Sequence, residues 1–77
     1  MAKEIPKEAI HMAKFCVAVI RLAREYPEYE GLAKKAMAAV KRAQLQMIEG
    51  RPSRWRASRP VKRLVREVWE RFGIRPY

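Results

Sequence analysis

Asp, Asn and Thr are absent from this chain, and Cys and His occur once each. A single Cys forms no internal disulfide, and one Cys with one His falls short of a zinc ligand set. No staple and no structural metal is therefore expected to support a 77-residue fold. Glu is the only carboxylate, His11 the only imidazole, and Ser53 and Ser58 the only aliphatic hydroxyls. A nucleophile with its base and orienting partner has little to be built from. The three glycines are too dispersed for a phosphate-cradling loop. No catalytic residue, metal, cofactor or small-molecule substrate is expected. His11 reads as a boundary residue of the first helix, Cys16 as a small core residue, and Glu28 and Glu30 as solvated turn acids.

Long apolar runs are also missing. The longest, Phe15 to Ile20, is closed in by Lys14 and Arg21, whereas a membrane span needs about 20 residues. No membrane partner and no secretory signal are expected; the location expected is intracellular (cytoplasm or nucleoid) or within a virion. The scarcity of cap and turn residues, beside abundant Arg, Glu, Ala and Val, fits a GC-rich or thermophilic source.

Positive charge is plentiful and unevenly placed. The formal net charge is +10. Residues 1–49 carry nine Lys and Arg against six Glu, whereas residues 50–77 carry nine against two. Eight of those last nine are Arg, whose planar fork grips phosphate bidentately and stacks on rings. The densest stretch is Arg51, Arg54, Arg56, Arg59, Lys62, Arg63 and Arg66, seven cations in sixteen residues with no acid among them. Trp55 sits between two of the arginines. Its indole either stacks on a base or folds back to cap the core, and the sequence leaves both open.

The periodicity predicts an all-α domain spanning 1–77, with helices at about 6–26, 30–49 and 60–72 and a basic arm at 50–59. Pro6 and Glu8 suit a helix start, and Pro27 stops the first helix. The first helix carries two apolar stripes. One contains Ile10, Ala13, Val17 and Ile20, the other Met12, Phe15, Val19 and Leu22; together they are wider than one partner helix covers. Either this helix is central in a small bundle, or its second stripe meets another copy; Phe15, Val19 and Leu22 are the residues expected at such an interface. The alanine-rich second helix forms a hairpin with the first, ending at Gly50. Val61, Leu64, Val65, Val68, Trp69 and Phe72 give the third helix the clearest amphipathic pattern.

The expected function is that of a small basic nucleoprotein. It binds the nucleic-acid backbone with little sequence specificity, DNA before RNA, through Arg51, Arg54, Trp55, Arg56, Arg59, Lys62, Arg63 and Arg66. Multiple copies then coat or condense the polymer, a design shared by chromatin-type proteins and DNA-coating viral capsid proteins. Two other readings stand beside it: a ribonucleoprotein or ribosomal component that binds RNA, and an interaction module or inhibitor for an acidic protein partner. A helix-turn-helix reader fits poorly, because about ten residues separate the last two helices instead of three or four.

Overall fold

A computed structural model describes residues 6–77, so the first five positions of the expected domain lie outside the described residues. Three helices, α1 (Lys7–Glu25), α2 (Glu30–Ile48) and α3 (Arg59–Phe72), pack pairwise into one small bundle. There is no strand among the described residues. Each helix begins and ends for a local reason. Pro6 caps α1, and Glu8 places a carboxylate in its first turn, against the positive helix end. Tyr26, which precedes Pro27, leaves the helical region at φ −131°, as steric conflict with the proline ring demands. A 3₁₀ turn, Pro27–Tyr29, then reverses the chain into α2.

Gly50 and Gly73 are the two helix stops that require glycine. Gly50 has φ 76°. The Arg51 amide reaches back to the Gln46 carbonyl at 2.8 Å and the Gly50 amide to Met47 at 3.0 Å, the paired bonds of a Schellman close. Gly73, at φ 65°, donates to the Trp69 carbonyl at 2.8 Å. Any side chain at either position would be forced into the left-handed region.

The core holds Met12, Phe15, Ala18, Val19 and Leu22 from α1, Ala33, Ala36, Val40 and Ala43 from α2, and Val61, Leu64 and Val68 from α3. The alanines of α2 let its neighbours approach closely, so that Phe15 and Leu22 fill the remaining space. Phe15, Val19 and Leu22 are thus fully used inside one chain, and the expectation that they form a seam between copies is corrected. The larger side chains of their stripe remove more apolar surface from water, and that decides which face of α1 turns inward. The exposed stripe is the other one, with Val17 68% and Ile20 50% accessible. Trp69, expected in the α3 core face, lies at its edge and is 53% accessible.

The far end of the bundle is tied by a cation–aromatic cluster. The Arg71 guanidinium lies 4.6 Å from the Tyr26 ring centre, and Arg21 lies 4.3 Å from that of Phe72. The Tyr29 hydroxyl donates to Glu67 at 2.6 Å and accepts from Arg71 at 3.3 Å. These contacts fix the α1–α2 turn against the end of α3.

Candidate nucleic-acid interface

The arm between α2 and α3 is folded. Beyond the Gly50 stop, the Trp55 amide donates to the Ser53 hydroxyl oxygen at 3.3 Å. A 3₁₀ turn, Trp55–Ala57, follows, and the Ser58 amide donates to the Trp55 carbonyl. Ser58 then takes an extended conformation and starts α3, with Pro60 in the first turn.

Trp55 is 3% accessible. Its ring meets Phe15 edge-on at 5.5 Å and Tyr77 at 5.4 Å, and its indole N–H donates to the Glu8 carboxylate at 2.7 Å. The expectation that Trp55 contacts nucleic acid is therefore corrected: its face is occupied by core and tail. A tryptophan gains far more from burying its large ring beside a carboxylate acceptor than from waiting in water for a base. Tyr77 returns along the bundle to complete this cluster and also lies against Phe15 and His11. Nothing in the sequence pattern marked the tail as part of the core.

Glu8 is the centre of the latch. It accepts from Trp55 and from Arg56, and the His11 Nδ1 lies 3.7 Å away. The indole hydrogen bond, reinforced by Arg56 and His11 and opposed by partial desolvation, holds the Glu8 carboxyl below its ordinary 4.5. Because the folded value is depressed, the contribution of Glu8 to stability is present above the ordinary value and lost as pH falls through the folded one. In a Trp69→Phe background, Trp55 fluorescence is expected to shift to the red on the acid side of 4.5. Glu8→Gln, which keeps an acceptor but cannot titrate, is expected to flatten that limb. An unchanged acid limb would assign it to a carboxylate other than Glu8.

The remaining cations divide by partner. Arg51 pairs with Glu49 at 3.4 Å, Arg56 with Glu8, and Arg66 with Glu70 at 3.2 Å. Each carboxylate offsets the charge that a phosphate would meet. Arg54, Arg59, Lys62 and Arg63 are exposed and make no ion pair among the described residues. Spacing alone would have paired Arg63 with Glu67. Tyr29, 38 positions away in the chain, takes that carboxylate instead. Arg59, Lys62 and Arg63 share one groove along α3, whereas Arg54 lies on the arm side, in the groove against α2. Of the eight expected contact residues, these four are cations without an ion pair among the described residues.

Two open grooves border this face. One lies along α3 and is lined by Arg59, Lys62, Arg63 and Arg66, together with Glu67 and Glu70. The other lies between α2 and the arm and brings Arg42, Gln46, Ser53, Arg54 and Ser58 together. By helical spacing Arg42 goes with Lys34, Lys35 and Lys41 on the outer face of α2. The groove joins it to the arm instead, a proximity that no local spacing announces.

Other candidates have structural roles. Cys16 is half-buried against the core, and desolvation pushes its thiol up, away from the reactive thiolate. No group of three His, Cys, Asp or Glu suited to a metal occurs among the described residues. No described helix is long and apolar enough to cross a membrane. The chain matches no family model, no curated protein and no solved structure.

Proposed function

We propose that this protein binds the sugar–phosphate backbone of nucleic acid, duplex DNA in the first instance, and assembles along it in several copies. The observation that carries the reading is the set of exposed cations without an ion pair among the described residues, Arg54 on the folded arm and Arg59, Lys62 and Arg63 along α3. Three of the four are arginines, whose planar fork grips phosphate bidentately. The contact is with the phosphate backbone before the bases.

Four phosphate contacts give a slope of log K against log salt of about −3.6 on duplex DNA, at −0.9 per contact. Replacing Arg59, Lys62 and Arg63 together by Gln is expected to reduce that slope to about −0.9, with the helical circular dichroism unchanged because all three side chains are exposed. An unchanged slope would move the interface elsewhere. A protein that binds structured RNA but not duplex DNA would favour the ribonucleoprotein reading.

Assembly is read from the exposed stripe of α1 with Val17 and Ile20; Val17 shares a groove with Ala13, Ile74 and Pro76, rimmed by Lys14, Arg21 and Arg75. With a net charge of +10, free copies repel one another. A polyanion removes that repulsion, so copies associate on nucleic acid rather than in free solution.

A further inference from the structure

We infer that the groove between α2 and the arm is a seat for a single phosphate, held jointly by Arg42 and Arg54. The inference rests on the nucleic-acid reading and adds to it a discrete site with its own residues. The groove encloses about 240 Å³, room for a phosphate group and its first waters. Arg42 and Gln46 enter from α2, one turn apart, while Ser53, Arg54 and Ser58 enter from the arm.

Each polar side chain of the lining can donate, and that ability is unspent among the described residues. Neither Arg42 nor Arg54 makes an ion pair or a side-chain hydrogen bond among the described residues. Ser53 uses its oxygen to accept from the Trp55 amide, and its one hydroxyl proton remains to be given. Ser58 stands at the start of α3 but makes no capping bond with its side chain. No carboxylate lines the groove. Two cations, two hydroxyls and an amide with no carboxylate opposite them make a surface that lacks an anion. A phosphate diester supplies the oxygens and the negative charge together.

The groove along α3 has more cations, but Glu67 and Glu70 line it as well. A phosphate entering there meets two carboxylates, and Arg66 is already held by Glu70. Donor set, and not cation count, therefore selects the α2–arm groove. Its shape is also prearranged. Ala39 and Ala43 leave space that a larger side chain would fill, and buried Trp55 fixes the arm that forms the opposite wall. Little ordering is left to be done when the phosphate arrives.

Sharing gives the test its form. Binding of a 30-base-pair duplex is measured over a salt series for the wild type, Arg42→Gln, Arg54→Gln, the double variant, and Lys41→Gln as an exposed α2 cation outside the groove. If both guanidinium groups serve one phosphate, either single variant leaves the slope near that of the wild type, the double variant flattens it by about 0.9, the share of one contact, and Lys41→Gln leaves it unchanged; a loss of about 0.9 already in Arg54→Gln gives the phosphate to Arg54 alone and overturns the shared seat. A loss of about 1.8 in the double variant means two separate phosphates and overturns the shared seat. A double variant that matches Lys41→Gln overturns the groove while leaving nucleic-acid binding intact. A wild type that binds no nucleic acid at low salt overturns the underlying reading, and the seat with it. Circular dichroism of each variant shows that the fold is kept; all three substituted residues are exposed on the free chain.

Discussion

Trp55→Ala is expected to bring the protein to the edge of unfolding. Removing a buried tryptophan ring costs about 3–5 kcal/mol, and a chain of 77 residues has only about 4–12 kcal/mol in all, at 0.05–0.15 per residue. The ring is large and almost wholly inaccessible, and it sits between Phe15 and Tyr77. Its loss also leaves the Glu8 carboxylate without its indole partner and releases the C-terminal tail. Thermal melting followed by circular dichroism is expected to fall by roughly 12–40 °C, at about 4–8 °C per kcal/mol for a domain of this size. Trp55→Phe separates the two contributions. It keeps most of the apolar burial and removes the N–H donor, so its loss is expected to be about 1.5–3 kcal/mol, the range for a hydrogen bond to a charged group. A Trp55→Ala protein that melts like the wild type but binds DNA far less tightly would return the indole to the role of a base-stacking platform.

The second large effect separates the two faces of α1. Val19 is 1% accessible and packs among Met12, Phe15 and Leu22. Val19→Asp puts a charge where no partner can reach it, and the chain is expected to be unfolded at neutral pH. Val17, two residues earlier and on the opposite stripe, is mostly in water. Val17→Asp is expected to fold with a loss of no more than about 1 kcal/mol, chiefly in helix propensity. Its effect lies in assembly. On duplex DNA, light scattering is expected to report isolated bound protomers in place of large assemblies. Because Asp also lowers the positive charge, Val17→Gln is the necessary companion, and the two variants must act alike if apolar contact is the cause. Assemblies that persist in both would remove this stripe of α1 as the seam. A folded, monomeric Val19→Asp protein would restore the original assignment of Phe15, Val19 and Leu22 to the surface.

Residue order alone determined the class of fold and nearly all of its punctuation. Pro6, Pro27, Gly50, Pro60 and Gly73 stop or start helices through steric limits on their own φ and ψ, which operate whatever surrounds them. The three helices accordingly lie within a residue or two of the expected positions. The amphipathic stripe of α3 was equally legible, because Val61, Leu64 and Val68 leave one face as the apolar choice. The charge excess in residues 50–77 is likewise a property of the sequence, and no packing arrangement can remove it.

Tertiary structure decided which of two plausible faces was used and which charges survived. Both stripes of α1 are apolar, and periodicity cannot rank them. The choice fell to the stripe whose Phe15 and Leu22 fill the space left by the alanines of α2. Trp55 went inward because Glu8, 47 positions earlier in the chain, supplied an acceptor for its indole. Arg63 makes no ion pair with Glu67, which accepts from Tyr29 instead, and Arg42 joined the arm across a groove that exists only after folding. Each of these depends on partners distant in sequence, whose approach is set by packing the whole core at once. Local spacing carries the short-range sterics; it carries no record of which distant carboxylate reaches which cation.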